Sequence, residues 1–168
     1  MAGSLSRMLR MTLENSDTVV SVRTEIQHCR YYLDIQKRRY EDKFDVVWEI
    51  PDEMLECRMI RIVLQPLVEN AIYHGIKPMT NKGMIIIKGR MKQGQIFLSV
   101  ADNGLGMKKQ ELDNLRKSME SAVIKESRHI GLTNVNQRIR LYYGDEYGLT
   151  MESTEGIGTT ITVRIPQI

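Results

Sequence analysis

The stretch Gln65-Pro66-Leu67-Val68-Glu69-Asn70-Ala71-Ile72-Tyr73-His74-Gly75-Ile76-Lys77 decides how the rest of this 168-residue chain is read. Apolar residues at Ile60, Val63, Leu64, Leu67, Val68, Ala71 and Ile72 follow the i, i+3, i+4, i+7 rhythm of a helix buried along one stripe. The same periodicity gathers Pro66, Glu69, Asn70, Tyr73 and His74 on another face, since residues three and four apart are neighbours on a helix. Gly75 supplies a helix stop. A proline inside a regular helix costs about 3 kcal/mol, so a bend is expected at Pro66. An adjacent carboxylate and carboxamide on such a helix point to a site lining a cleft. For this pair alone, a solvated helix face is the plainer alternative.

Composition sets the frame around that helix. The length suits one well-packed domain with an attached helical segment. No run of eighteen apolar residues spans a bilayer, and no signal peptide is recognisable. Cys29 and Cys57 are too few and too far apart for a disulfide framework or a metal knuckle, and fit a reducing cytosol as small buried hydrophobes. A formal net charge of +3 is too mild to argue for nucleic acid. Lys37-Arg38-Arg39 lies beside Glu41 and Asp42, so it is read as a solvated face. Met1-Ala2-Gly3-Ser4 has the character of an added start, which suggests a piece of a longer protein.

Outward from the central helix, the chain divides into readable elements. Leu5 to Glu14 is a short helical pattern broken by Asn15-Ser16-Asp17. Ser21 offers an N-cap for a longer helix reaching about Asp42, with Ile26, Leu33 and Tyr40 spaced for one face. Phe44 to Ile50 is a strand ended by Pro51. Met84 to Met91 and Gln95 to Asp102 are strands joined at Lys92-Gln93-Gly94 as a hairpin. Lys108 to Arg128 is polar, a mobile connection with a short helix. Asn134 to Tyr143 is a helix closed by Gly144, and Gly148 to Ser153 and Thr159 to Ile165 are the last strands. This order predicts an α/β (α+β) two-layer sandwich, a mixed sheet covered on one face by helices.

Three clusters accompany Glu69-Asn70. Asp102-Asn103-Gly104-Leu105-Gly106 puts a carboxylate at a strand end beside a turn that a ligand can approach closely, though it is also an ordinary turn signal. Gly131-Leu132-Thr133-Asn134 opens a helix, and unpaired N–H groups at such a start can hold an anion. A plain N-cap by Thr133 or Asn134 is the alternative. Gly156-Ile157-Gly158-Thr159 is a tight strand connection that leaves room for a flat ligand edge.

The order of these clusters resembles the ATP-binding domain of the GHKL superfamily, the Bergerat fold of sensor histidine kinases, DNA gyrase, Hsp90 and MutL. The resemblance covers about Phe44 to Ile165. The stretch EIQHCRYYLDIQKRRYEDKF before LQPLVENAIYHGI is similar to the YesM/LytS-type branch of bacterial sensor histidine kinases. The resemblance implies residues 1–43 as the tail of a dimerisation region with a leader helix, and 44–168 as the ATP-binding catalytic domain. It implies Asn70 as a Mg²⁺ ligand, Glu69 as the carboxylate that orients or deprotonates the nucleophile, and His74 and Lys77 near the phosphates. Asp102 would accept a hydrogen bond from the adenine amino group, and Thr159 would share a water with it. Gly104, Gly106, Gly131 and Gly158 match the glycine boxes, with Leu132 beside Gly131 and Asn134 as a phosphate contact at the end of the lid. Met107 to Ile130 would be that lid, disordered without nucleotide.

Function follows as an expectation: transfer of the ATP γ-phosphate to a histidine on a dimerisation domain, for relay to a response regulator. None of His28, His74 and His129 sits in a phosphoacceptor pattern, so the acceptor is expected upstream, in a membrane-bound homodimeric parent of the bacterial inner membrane with this part cytoplasmic. One departure stands out, because His129 occupies the first position of a lid-end motif that is Gly-x-Gly-Leu in the family. A GHKL-type ATPase using Glu69 to activate water, and a degenerate nucleotide-binding scaffold, are the alternatives. Anti-sigma-type serine kinases share the motifs but lack the leader from Ser21 to Phe44.

Overall fold

A computed structural model describes residues 3–7, 18–121 and 129–168. The elements are β1 (Val19–Ser21), α1 (Val22–Arg39), β2 (Phe44–Glu49), β3 (Arg58–Ile60), α2 (Leu64–Asn70), β4 (Gly83–Lys92), β5 (Gln95–Asp102), α3 (Lys109–Glu120), α4 (Ile130–Tyr143), β6 (Gly148–Thr154) and β7 (Gly158–Pro166). A π-helix, Ala71–Ile76, continues α2 without a break. Residues 3–7 are helical, starting two residues before the short helix expected over Leu5 to Glu14; the rest of that helix, 8–14, and the Asn15-Ser16-Asp17 break lie outside the described residues.

Five strands form a mixed sheet in the order β2-β4-β5-β7-β6, parallel only between β2 and β4. The two-layer expectation holds. Alternate residues of the central strands, Ile85 and Ile87, Ile96, Leu98 and Val100, and Ile161, Val163 and Ile165, turn inward and are buried. They meet Leu64, Leu67, Val68, Ile72 and Ile76 of the central helix and Leu132, Val135 and Ile139 of α4 in one core. The β4–β5 hairpin closes through Gln93 and Gly94, whose φ values of 51° and 71° match the positive pair that a two-residue turn of strand-compatible twist needs.

Helix α1 is part of this core. Ser21 caps it as expected, its hydroxyl accepting the Thr24 N–H at 3.1 Å. The helix ends at Arg39, three residues earlier than its pattern suggested, and Glu41 and Asp42 turn the chain with positive φ. A second, two-stranded sheet pairs β1 with β3, locking the start of α1 to the segment that leads into α2.

Several expectations are corrected here. Ile60 belongs to β3, and the central helix begins only at Leu64. Pro66 therefore falls in the first turn, where its missing N–H would have had no intrahelical partner, so it need not bend the helix. The irregularity comes later: the Lys77 N–H donates to the Ile72 carbonyl at 2.7 Å, five residues back. Gly75 sits inside this π segment and does not end the helix. Helix α4 starts at Ile130, four residues before Asn134, with no side chain capping it. The stretch after Met107 is an ordered helix over Lys109–Glu120, anchored by buried Leu112, Leu115 and Met119. Residues 122–128 of the expected lid lie outside the described residues.

Candidate functional site

The central helix carries chemistry at both ends of its α-to-π junction. Asn70 is the last α-helical residue and is buried; Glu69 before it is half-buried. A π turn is rare and costs hydrogen-bond geometry, so its retention beside two polar residues suits a functional position. Its effect is local. Gly75 is brought against the end of β5, so close that a β-carbon there would lie 2.6 Å from Asp102 Oδ1.

Asp102 forms the other pole. It is the register partner of Thr159 on β7 and of Ile85 on β4, at the C-terminal end of a central strand. Burial raises its carboxyl from the ordinary value to about 6, partly offset by hydrogen bonds from the backbone N–H groups of Gly104 and Thr159. The Gly104 N–H donates at 2.8 Å. A carboxylate kept in a desolvated place without a cation to neutralise it is poised to accept a donor from a ligand. Thr159 Oγ1 lies 2.7 Å from Ser153 Oγ, and the Met107 N–H donates to that serine at 2.8 Å.

The glycines have a tighter role than ligand clearance. A side chain at Gly104 would run into the backbone of Gly75, one at Gly158 into the Asp102 carbonyl, and one at Gly106 into the Thr154 carbonyl. These three glycines, with Gly75, let the helix, the β5 end and the β6–β7 turn touch backbone to backbone. Gly131 differs, since a β-carbon there would meet only Pro66 at 3.7 Å.

Around Asn70 the site is made of side chains. His129 Nδ1 lies 2.9 Å from Asn70 Oδ1, with both residues buried. The His129 ring stands 4.5 Å from the His74 ring, and Glu111 Oε1 of α3 is 3.8 Å from His129 Nε2. A cavity of about 440 Å³ opens beside them, lined by Lys108, Gln110, Glu111, Asn114, Leu115, Ser118 and His129. The residue that departs from the family motif is thus seated on the candidate metal ligand. Its sequence signal was only the substitution itself.

The remaining candidates are placed as follows. Leu132 is buried in the core, and Asn134 is exposed on the first turns of α4. Lys77 is exposed, its ammonium 5.7 Å from the Tyr73 ring and 5.9 Å from the Tyr40 ring, on the side facing the end of α1. Two functional neighbours were not anticipated. Gln65 Nε2 donates to Glu69 Oε1 at 2.9 Å, and His28 Nε2 lies 2.8 Å from Gln65 Oε1. An i, i+4 Gln-Glu pair was visible in the sequence; its link to α1 was not.

An asparagine oxygen suits Mg²⁺, a hard cation that keeps several waters and is held by few protein oxygens together with substrate phosphates. Among the described residues there is no cluster of three or more His, Cys, Asp or Glu that would form an all-protein cage. The residues therefore fit a metal carried in with a nucleotide.

Known proteins give the same picture. The chain is 33% identical over 166 residues to sensor histidine kinase YesM of Bacillus subtilis, covering 99% of this chain and 27% of that protein. Against sensor histidine kinase YpdA of Escherichia coli the identity is 33% over 164 residues, covering 97% of this chain and 27% of that protein. The chain thus spans about a quarter of the length of these relatives. Among solved structures, the catalytic domain of histidine kinase ThkA matches with a TM-score of 0.65 at 18% identity, covering 89% of this chain and 96% of that one. ThkA in complex with the response regulator TrrA matches with a TM-score of 0.61 at 17% identity, covering 99% and 48%. These likenesses establish the fold. Residues 1–44 match the histidine kinase family model, and residues 57–168 match that of histidine kinase-, DNA gyrase B-, and HSP90-like ATPases. The second match takes in Asn70, the buried Asp102 carboxyl and the glycine contacts between them, and the chain belongs to that family, whose nucleotide is ATP.

Proposed function

We propose that this chain is the ATP-binding catalytic part of a sensor histidine kinase, transferring the γ-phosphate of Mg-ATP to a histidine on a dimerisation domain, for relay to a response regulator. The observation that carries the reading is the seating of Gly75 on Asp102. It ties the helix bearing Glu69 and Asn70 to the carboxyl that would read the base. Similarity to sensor histidine kinases along nearly the whole chain supports the kinase among the family's activities.

In this reading Asp102 accepts a hydrogen bond from the adenine amino group. Guanine carries an oxo group there, so the buried acceptor would lose its donor, at roughly 1–3 kcal/mol. Thr159 holds the position through its backbone N–H. Asn70 offers its carboxamide oxygen to Mg²⁺ once His129 gives it up. Bound Mg²⁺ supplies charge neutralisation on the phosphates. His74 on one side, and Gly131 and Asn134 on the first turns of α4, flank the phosphates, while Leu132 holds that turn from the core; Lys77 joins them by swinging away from the Tyr40 and Tyr73 rings on which its ammonium rests. Glu69 orients the incoming imidazole. Transfer of this kind needs positioning and electrostatics more than covalent help from the protein.

Residues 1–43 would join this part to the dimerisation region of a membrane-anchored homodimer, with residues 44–168 as the catalytic domain on the cytoplasmic side. No helix among the described residues is long and apolar enough to cross a membrane. The decisive experiment mixes the chain with Mg-ATP and a separately made dimerisation fragment carrying the acceptor. Acid-labile, base-stable phosphate on the fragment is the expected result. Steady phosphate release without labelling would replace the kinase with an ATPase.

A further inference from the structure

One face of α1 is buried yet polar. Glu25, His28 and Gln36 are 2%, 8% and 6% exposed, alongside buried Cys29 and Tyr32. Buried polar side chains on an amphipathic helix need partners, and two of these find them on the helix that carries Glu69. The Glu25 carboxylate accepts the backbone N–H groups of Ile62, at 2.9 Å, Val63 and Leu64, capping the start of α2 from outside. One turn along α1, His28 meets Gln65, which in turn meets Glu69.

The second contact has a fixed direction. A carboxylate can only accept, so Gln65 must present its amide N–H to Glu69. Its carbonyl oxygen is then committed to His28, and His28 must carry a proton on Nε2. The three groups form a one-way chain of donors, His28 to Gln65 to Glu69, running from the leader helix into the site. The Tyr32 hydroxyl, one turn further on, is raised in pKa mainly by burial and also by the Glu69 charge, so Glu69 faces α1.

We infer that His28, on α1, and Gln65, on α2, are positioning residues for Glu69: together they hold its carboxylate in one rotamer and on one face. The inference rests on Glu69 preparing the acceptor, as proposed above. A rotation or slide of α1 would loosen that carboxylate while the glycine contacts around Asp102 stay in place, so α1 becomes the element through which events upstream reach the transfer step.

Two measurements test this, and the first needs no kinase activity. Nitrogen-edited NMR of the whole chain is expected to show an exchange-protected His28 Nε2–H proton that shifts in Glu69→Gln and vanishes in Gln65→Leu. A His28 protonated only on Nδ1, or an unprotected Nε2–H, would overturn the relay. The second compares phosphotransfer at saturating Mg-ATP with nucleotide affinity by calorimetry. His28→Leu and Gln65→Leu should slow transfer about tenfold or more while affinity stays within about twofold. His28→Gln, which keeps an N–H at a similar reach, should recover most of the rate. In a Glu69→Gln background, His28→Leu should cause no further loss, because the two act as one unit. Equal losses of rate and affinity, a His28→Gln as slow as His28→Leu, or effects that multiply would each overturn it. A wild-type chain that labels no fragment would instead count against the kinase reading, leaving the NMR result to decide the relay.

Discussion

The two ends of the site are built from different materials. At Asp102 the walls are backbone: Gly75 meets its carboxyl, Gly104 meets Gly75 and Gly158 meets the Asp102 carbonyl, each so closely that no side chain would fit. At Asn70 the walls are side chains, with His129, His74 and Glu111 gathered from three separate elements. Backbone contacts within a sheet and a packed helix move little, whereas side chains on α3 and at the start of α4 can rearrange with their helices. The contrast suits the roles proposed for the two ends, in which a base is recognised by a fixed shape while phosphates and a metal enter, react and leave.

Breaking the rigid end should have the largest effect. Gly104→Ala would force the β5 turn off Gly75, and we expect a loss of about 3–5 kcal/mol by urea unfolding, of the size reserved for backbone collisions. Gly156→Ala is the control, because its β-carbon meets open space and only its φ of +79° resists the change. That strain is worth about 1–2 kcal/mol.

Asp102 sharpens the comparison next. Asp102→Asn should weaken ATP binding by about 10–100-fold in calorimetry, in line with a poorly satisfied buried acceptor. It should also stabilise the nucleotide-free protein at neutral pH, since burial penalises the charged carboxylate. The sign with pH follows. The folded carboxyl titrates near 6, above its unfolded value, so the folded state holds more protons between the two. This group's contribution is most favourable below about pH 4 and is lost as pH rises through 6, by up to ~3 kcal/mol. Thermal unfolding of wild type against Asp102→Asn across that window should show the gap opening as pH rises. A gap that stays flat would place Asp102 in a more solvated setting than its contacts imply.

The smallest effect belongs to the end built from side chains. His129→Gly removes the group that occupies Asn70 Oδ1 and should tighten Mg-ATP binding several-fold, equivalent to one hydrogen bond of about 1 kcal/mol. ATP without metal should bind with nearly unchanged affinity. A variant that binds Mg-ATP more weakly would make His129 a ligand of the phosphates and not a competitor for the metal site.

Much of the rigid frame was legible in the sequence, and the reasons are local. Ser21 carries its own capping hydroxyl, and the alternation of Ile96, Leu98 and Val100 with Phe97, Ser99 and Ala101 marks a strand covered on one face. Strands β1 and β3 were missed because each has three residues and its partner lies about forty residues away, where no short-range pattern can reach. The start of α4 was misplaced since no side chain caps it. In the site, residue types at motif spacing flagged Asn70 and Asp102. The contact of His129 with Asn70, and that of His28 with Gln65, join residues far apart in the chain, and only the packed helices create them.

The π turn between Asn70 and Lys77 can be understood as a matter of phase. One α-helical residue advances the face of a helix by about 100°, and the extra residue in the turn shifts everything after it by that amount. Upstream of the shift, the helix is set for Glu69 and Asn70; downstream, it is set for Gly75 to meet Asp102. A regular helix of the same length could satisfy one setting and would swing the other away by a third of a turn or nearly so. Removing Ala71 or Ile72 would therefore leave every candidate site residue in the chain and uncouple Asp102 from Asn70.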